Sequence, residues 1–316
     1  MINSPIFVVG APRSGTTLLQ LIIGTHSNLF SLPETHYFTF VNQNVKMIKN
    51  NSSTFSNILF DALEKKPMLL FRKNEKCNII KAIGREKTEK NILEQIILEY
   101  KTKHSLGGNR WVEKTPRHVN HLNEIFFSWP DAKVINVFRD PRGSISSFHH
   151  LKKFKTKKDN YLDIFMRIFK WKKCISSAIE YKNSIFTIRY EDLIDDTEYY
   201  TRKIMEFIGE EFEERQITDF NKNYKTSTIN EEKHKKLTKT NKIINRKAIW
   251  KERLEINEVY CIELLCSKEM KMLGYKPVNS LITISDKFKT TYYIISYFFY
   301  KAKSYFKNIL KNILKI

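Results

Sequence analysis

Cysteine is scarce in this 316-residue chain, and its placement argues against two common ways of stabilising a fold. None of the four cysteines belongs to a CxxC pair, and none has neighbouring histidines at the spacing of a zinc site. Neither a disulfide framework nor a metal cluster is indicated, so we expect reduced, partly buried thiols. The four are Cys77, Cys174, Cys261 and Cys266.

Long apolar runs are missing as well. No stretch approaches the roughly 20 apolar residues that span a bilayer. The N-terminal MINSPIFVVG passes directly into an apolar strand and does not have the form of a secretory signal. From these two features we expect a cytoplasmic protein, at most peripheral on the inner face of the membrane.

Acidic residues are few relative to basic ones. The chain has 34 Asp and Glu against 55 Lys and Arg, which gives a formal net charge of +21. Such an excess predicts polyanionic partners: nucleotides, nucleic acid, acidic glycans or anionic membrane surfaces. The charge alone does not choose among them. With 41% hydrophobic residues, a chain of this length has enough apolar material for a core.

Three short runs of β-branched and aromatic residues predict buried strands, and each is followed by a helical pattern. The runs are PIFVVG (5–10), DAKVINVF (131–138) and SIFTIRY (184–190). This alternation predicts an α/β fold with a P-loop-NTPase-like central parallel sheet flanked by helices. We expect the polar, helical region from 38 to 110 to cover the fold and to form a wall of an acceptor pocket.

The stretch GAPRSGTTLL, at 10–19, has the length of a phosphate-binding loop between a strand and a helix. Gly10 and Gly15 permit a tight path, so that backbone N–H groups and the helix N-terminus converge on one anion. Thr16 stands where an NTPase loop carries the lysine that reaches the β and γ phosphates. Arg13 is the cation of the loop, which favours a ligand with one 5′-phosphate and a second, less charged group. The hydroxyl donors of the loop are Ser14, Thr16 and Thr17.

The loop resembles the 5′-phosphosulfate-binding loop of the sulfotransferases that use 3′-phosphoadenosine 5′-phosphosulfate (PAPS), whose members commonly read PRSGTTLL here. The segment VFRDPRGSISS, at 137–147, resembles the segment that binds the 3′-phosphate in that family. The resemblance implies that Arg139, at a strand end, and Ser147, on the following helix, hold this phosphate. It also implies PAPS as co-substrate, 3′,5′-ADP as product and a reaction without a metal.

Two further segments extend the resemblance to the reaction. SLPETHYF places Glu34 21 positions after Arg13, a spacing similar to that of tyrosylprotein and related carbohydrate sulfotransferases, where this glutamate is the proposed base. WVEKTPRH places Lys114 in an EKTP-like segment whose lysine is assigned to the leaving group. The resemblance therefore implies Glu34 as base, with Lys114 and Arg13 stabilising the transferring group. Such a transfer needs a base for a weakly acidic hydroxyl and a cation where negative charge grows.

Other titratable residues near these motifs are rivals for the catalytic roles. Glu113 is beside Lys114, but it points the opposite way in an extended strand, which favours a structural role. Another branch, the cytosolic sulfotransferases, uses a histidine base. None of His118, His121, His149 and His150 has the spacing of Glu34, and His36 and His118 are expected to line the acceptor pocket.

Two later segments resemble parts of the family that frame the nucleotide. IRYEDL follows the third predicted strand, and the resemblance gives Arg189 and Tyr190 a place beside the nucleotide. NRKAIWKERL, at 245–254, resembles a late basic loop that closes over the 3′-phosphate, through Arg246 or Lys247. It lacks the usual Ser-Gly lead-in, so the register of this second segment stays open.

The chain changes character after Pro277, and we predict a sulfotransferase domain at 1–278 and a basic aromatic tail at 279–316. Residues 281–316 contain seven lysines, nine aromatics and one acid, Asp286. From Phe298 onward the pattern is that of an amphipathic basic helix. The helix either packs on its own domain or a partner subunit, or it binds an anionic membrane surface. Its apolar side contains Phe299, Ala302, Phe306, Ile309, Leu310 and Ile313.

Two alternatives to a sulfotransferase stay open on the sequence. A P-loop small-molecule kinase with a displaced lysine would bind ATP with magnesium. A non-catalytic membrane-binding or nucleic-acid-binding protein would need no order among the motifs, whereas they occur in the family's order. Under the sulfotransferase hypothesis we expect a carbohydrate or glycolipid hydroxyl as acceptor rather than tyrosine, and no nucleic acid partner.

Overall fold

The computed structural model describes residues 4–39, 81, 88–149, 156–221, 243–278 and 283–313. Its contacts divide the chain into two compact units. The first comprises Met1–Arg139 and Cys174–Asn245, and the second comprises Asp140–Lys173 and Arg246–Ile316. The domain boundary predicted at residue 278 stays a prediction, as does most of the region from 38 to 110, which lies largely outside the described residues.

Five parallel strands in the first unit form one sheet in the order β2-β3-β1-β4-β5. The register pairs Val8 with Lys114 and Gly10 with Val137, so neighbouring strands end close together. The strands are β1 Ile6–Gly10, β2 Leu29–Ser31, β3 Arg110–Lys114, β4 Lys133–Phe138 and β5 Phe186–Arg189. The predicted α/β fold with a central parallel sheet is confirmed.

Eleven α-helices lie in the described part of the chain, together with one 3₁₀-helix at Pro116–His121. In chain order they are α1 Thr16–Ile23, α2 Glu89–Lys103, α3 Leu122–Ser128, α4 Pro141–His149, α5 Lys157–Glu180, α6 Tyr190–Asp195, α7 Thr197–Ile208, α8 Arg215–Thr218, α9 Trp250–Arg253, α10 Ile256–Met272 and α11 Ile284–Ile313. Among the described residues, no helix is both long enough and apolar enough to cross a membrane.

The sheet is covered on both faces, which explains why its strands are almost continuously apolar. One face carries an aliphatic core in which Val8, Val112 and Ile135 contact residues of α1 and α7. The other face carries aromatic rings: the centroids of Phe7 and Trp111 lie 5.2 Å apart in an edge-on arrangement. A sheet buried in this way presents its functional groups where the strands end, at their carboxyl edge.

The second unit is built on helices and contains a buried ionic cluster that sequence reasoning missed. Arg142, on α4, bonds Asp140 through Nη2 and Oδ2 at 2.6 Å and Glu263 through Nη1 and Oε1 at 2.5 Å. Its guanidinium also lies 4.2 Å from the ring centroid of Trp250. Because two buried carboxylates neutralise the charge of Arg142, we assign this arginine a structural role.

The last helix, α11, contacts α5 within the second unit by one face. Tyr293 stacks on Tyr161 with ring centroids 4.2 Å apart, and Tyr297 lies 5.0 Å from Phe165. The part of α11 that contains Tyr293 and Tyr297 therefore packs within its own unit. The side chains from residue 301 onward lie outside the described residues, and so does the predicted apolar side from Ala302 to Ile313.

Candidate active site

The loop between β1 and α1 has the tight backbone that the glycines predict. Gly10 has φ 147°, Arg13 has φ 73° and Gly15 has φ 96°, all in the region that favours glycine. A left-handed arginine is costly and persists only where the surroundings impose it. Gly15 precedes the first residue of α1, and no side chain in the described part of the chain caps that helix. Its first N–H groups are therefore available to an anion.

Ser14 adds a second observation at the same place. Its side chain is fully buried, yet its Oγ has no hydrogen-bond partner among the described residues. A buried hydroxyl without a partner is costly, and such a group commonly belongs to a ligand site. The site thus combines the uncapped start of α1 with an unsatisfied hydroxyl, as a phosphate or sulfate group requires.

Tyr190 closes over the loop from the end of β5. A Cβ atom added to Gly15 would lie 2.4 Å from Tyr190 Cδ2, a distance that real Cβ atoms do not reach. One added to Gly10 would lie 2.5 Å from the carbonyl oxygen of Val137. Both glycines are therefore required by close approach as well as by their φ angles.

Arg139 joins the same cluster from the end of β4. Its Nη1 donates to the carbonyl oxygen of Arg13 at 3.0 Å, and its guanidinium carbon lies 4.2 Å from the centroid of Tyr190. The structure thus brings Arg13, Gly15, Arg139 and Tyr190 together, and their role in binding a nucleotide stays a prediction. The stacking contact stabilises a buried arginine whose charge faces the loop.

Lys114 and Glu34 form the second part of the site. Lys114 Nζ lies 2.5 Å from Glu34 Oε1 and donates to Thr17 Oγ1 at 3.3 Å. The lysine side chain is 3% exposed and that of the glutamate 34%. Glu34 follows the edge strand β2 and Lys114 ends β3, so the pairing of these two strands sets the contact. A carboxylate, a buried cation and the end of the glycine loop therefore meet at one place.

Glu34 has a second partner, which the sequence did not indicate. His36 Nε2 lies 3.2 Å from Glu34 Oε2, whereas Lys114 Nζ lies 2.5 Å from the other carboxylate oxygen, Oε1. Burial alone would raise the pKa of Glu34, but the Lys114 ammonium and hydrogen bonds from His36 and Lys114 outweigh it. The pKa is held far below the usual range of a carboxyl group, so Glu34 is an anion at any physiological pH.

Glu113 lies on the other side of β3, where its carboxylate joins the two loops that carry Glu34 and Lys114. Its Oε1 accepts from Thr35 Oγ1 at 2.8 Å and from Thr115 Oγ1 at 2.6 Å, and its Oε2 lies 2.9 Å from His118 Nδ1. Burial would raise the pKa of Glu113, but His118 and these bonds lower it. Glu113 and His118 are both fully buried, which supports the structural role predicted for Glu113.

The remaining predicted residues lie at other places in the two units. Ser147 lies on α4 and Arg246 before α9, both in the second unit, so their contact with a 3′-phosphate stays a prediction. Arg189 Nε lies 3.8 Å from Asp192 Oδ2. His121 Nδ1 lies 3.1 Å from Glu124 Oε1. His150 and the side chain of His149 lie outside the described residues.

The glycine loop lies between a strand and a helix, and the two strands that flank β1 place Lys114 and Arg139 at their carboxyl ends. This arrangement defines an α/β protein with a site that fits an anionic ligand at the carboxyl edge of a parallel sheet. The profile of the sulfotransferase family matches residues 5–214 of the chain. This protein belongs to the sulfotransferase family. The family resemblance drawn from the loop and the three later motifs is confirmed.

The chain is similar to particular members of that family. It is 24% identical over 210 residues to protein-tyrosine sulfotransferase 1 of Danio rerio, across 65% of this chain and 52% of that protein. The chain thus spans about half the length of this curated relative. The sulfotransferase domain of the Synechococcus PCC 7002 olefin synthase superposes with a TM-score of 0.59 at 17% identity, covering 87% of this chain and 96% of that one.

A second solved structure supports the same fold. The sulfotransferase domain from the curacin biosynthetic pathway also superposes with a TM-score of 0.59, at 18% identity, covering 87% of this chain and 98% of that one. At this level of identity the likeness concerns the fold.

Proposed function

We propose that this protein transfers the sulfuryl group of PAPS to a hydroxyl acceptor and releases 3′,5′-ADP. The observation that carries the proposal is the meeting of Lys114 with Glu34 at 2.5 Å and with Thr17 of the phosphate loop at 3.3 Å. A carboxylate, a buried cation and a set of anion donors are the groups that such a transfer requires.

The residues present fit PAPS as the co-substrate. The loop leads into the uncapped N–H groups at the start of α1, and Ser14 supplies a buried hydroxyl without a partner in the described part of the chain. Arg139, stacked on Tyr190, supplies a cation beside the loop. In this assignment PAPS supplies an activated sulfuryl group on a phosphate leaving group. The lysine that an NTPase loop carries at the position of Thr16 is not needed, because a sulfuryl group carries less charge than a terminal phosphoryl group.

Each reacting residue then has one task. Lys114 stabilises the negative charge that grows on the bridging oxygen as the bond from sulfur to phosphate breaks. Arg13, a cation in the loop, stabilises the transferring sulfuryl group. Glu34 is the base component of the site, because its carboxylate supplies the negative charge that proton removal requires.

Ligand-induced stabilisation tests the proposal against the kinase alternative. At 100 times its dissociation constant, 3′,5′-ADP stabilises the folded protein by about 2.7 kcal/mol, which a thermal shift assay detects. ATP with magnesium is expected to give a smaller shift. Gly15→Ala should lose the effect, because its Cβ meets Tyr190 at 2.4 Å, whereas Gly107→Ala should keep it, because a Cβ there meets nothing within 4 Å. A larger shift with ATP and magnesium contradicts the proposal.

The acceptor is assigned by transfer from ³⁵S-labelled PAPS into glycan, lipid and protein fractions of cells. Our proposal is a carbohydrate or glycolipid hydroxyl, so label is expected in the glycan or lipid fraction. The named relative is a protein-tyrosine sulfotransferase. Label recovered as tyrosine sulfate from the protein fraction would replace our assignment with that of the relative.

We also propose that α11 contacts an anionic membrane surface with the face that does not pack on α5. Five large apolar residues, spaced by four, four, three and four positions, lie on one side of the helix and are exposed. Two exposed lysines, Lys287 and Lys289, and the excess of lysine in the tail complement acidic lipid headgroups. The five are Ile284, Phe288, Tyr292, Ile295 and Phe299.

Vesicle pelleting tests the membrane contact. We expect the full chain to sediment with phosphatidylcholine vesicles that contain phosphatidylserine and to remain in solution with phosphatidylcholine alone. Replacing Phe288 and Phe299 with Ser should weaken sedimentation by about tenfold, since each substitution removes a large exposed apolar area that the lipid would bury. Phe127→Ser removes an equally exposed phenylalanine from α3 in the other unit and is the matched control. Equal sedimentation of the double variant and the wild type excludes this face as the contact.

A further inference from the structure

His36 occupies a defined position beside the reactive carboxylate. Its Nε2 lies 3.2 Å from Glu34 Oε2, and Lys114 lies on the other carboxylate oxygen at 2.5 Å. An ionised carboxylate only accepts hydrogen bonds, so the Nε2 of His36 carries the proton that points to Glu34. This arrangement leaves the Nδ1 of a neutral imidazole with its lone pair unprotonated.

The backbone around His36 shows that this position is built into the fold. His36 has φ 51°, a left-handed conformation that non-glycine residues adopt rarely. Its N–H donates to Thr115 Oγ1 at 3.2 Å, and the Thr115 hydroxyl donates to Glu113 Oε1 at 2.6 Å. The buried Glu113 therefore holds the strained backbone of His36 and the end of β3 through one threonine.

The charges of the site favour a histidine as the group that keeps the proton. Glu34 is held between Lys114 and His36, and its pKa is far below the usual range, so a proton placed on this carboxylate is lost readily. An imidazole is the side chain that ordinarily gains and loses a proton near neutral pH. The charged groups that the structure places around it are Glu34 in its own loop, Lys114 at the end of β3, and the Glu113–His118 pair beyond Thr115.

We propose that His36 is a further catalytic residue: its Nδ1 takes the proton of the acceptor hydroxyl, and Glu34 acts through it as the partner of the imidazolium that forms. The bond from the acceptor oxygen to sulfur forms while the bond from sulfur to the 5′-phosphate oxygen breaks. That electron pair stays on the phosphate near Lys114, and the proton ends on His36. The inference rests on the proposed sulfuryl transfer and assigns the base component of that site to a Glu34–His36 pair.

The test is the rate of sulfate transfer to the cell fraction that takes label from the wild type. His36→Gln keeps a side-chain donor for Glu34 but cannot take a proton. It is expected to lose about 10²-fold in kcat with little change in KM. His121→Gln breaks a comparable histidine–carboxylate pair, 3.1 Å from Glu124, and should keep the wild-type kcat.

A second variant keeps the inference testable if His36→Gln folds poorly. Glycine tolerates the left-handed backbone at this position, and His36→Gly leaves room for free imidazole. Added imidazole is expected to raise the transfer rate of the His36→Gly protein at least tenfold. A His36→Gln protein with the wild-type kcat, or a His36→Gly protein that imidazole does not rescue, overturns the role of His36. A wild type that 3′,5′-ADP does not stabilise overturns the proposed function instead.

Discussion

Replacement of Glu34 by Gln is expected to lower sulfate transfer by about 10²- to 10³-fold while 3′,5′-ADP still stabilises the protein. The amide has the shape of the carboxylate and can still accept from Lys114, so the ion pair becomes an ordinary hydrogen bond. The negative charge that both Lys114 and His36 contact is lost. Transfer therefore suffers through kcat, and nucleotide binding at the loop is largely kept.

The measurement is the release of 3′,5′-ADP from PAPS in the presence of acceptor, together with a thermal shift with 3′,5′-ADP. Glu124→Gln is the matched control, because it also neutralises a carboxylate that bonds a histidine, at 3.1 Å, but away from the phosphate loop. Near-normal turnover of a Glu34→Gln protein that binds 3′,5′-ADP would contradict the assignment of Glu34 to the base component.

The largest effect on stability is expected at Glu113. Glu113→Ala leaves four groups without their acceptor in a fully buried place: two threonine hydroxyls, the backbone N–H of Thr35 and the Nδ1 of His118. Breaking a buried pair in this way costs about 3 to 5 kcal/mol. For a unit of this size each kcal/mol lowers the melting temperature by about 2 to 4 °C, so a fall of roughly 6 to 20 °C is expected.

Acid unfolding provides an independent readout of the same residue. The pKa of Glu113 is lowered in the folded protein, so its contribution is complete above the unfolded value of about 4.3. That contribution is lost as the pH falls through the lower folded value. Glu113→Gln should therefore lose less stability than the wild type between about pH 5 and the acid end of the titration. Glu124→Ala, whose pair is partly exposed, should cost at most about 1 kcal/mol. A Glu113→Ala protein within 1 kcal/mol of the wild type contradicts this account.

The phosphate loop and the strand ends were predictable because their signals are local. A β-branched run, two glycines five positions apart and an apolar helix describe the loop from Gly10 onward, and parallel strands place their carboxyl ends at one edge. Arg139 and Tyr190 each follow a strand directly, so their arrival beside Arg13 follows from the sheet.

The contacts that depend on strand order could not be predicted in the same way. Lys114 meets Glu34 because β2 pairs with β3, and no local pattern in the 78 residues between them indicates this neighbour. The contact of His36 with Glu34 needs a left-handed backbone, which propensity does not assign to histidine. The ionic cluster of Arg142, Asp140 and Glu263 joins residues more than 120 positions apart, and only the fold reveals it.

The alternation of side chains along β3 has a further consequence for how errors in this protein are tolerated. Neighbouring positions of one strand hold opposite assignments: Lys114 faces the loop of α1, and Glu113 faces the buried threonines and His118. A slip of β3 by a single residue would exchange them, putting an acid beside Thr17 and the glycine loop and an ammonium into the buried interior. Two independent sets of contacts therefore specify the register of β3: those of Lys114 at the site and those of Glu113 in the core. A chain with the wrong register would lose both.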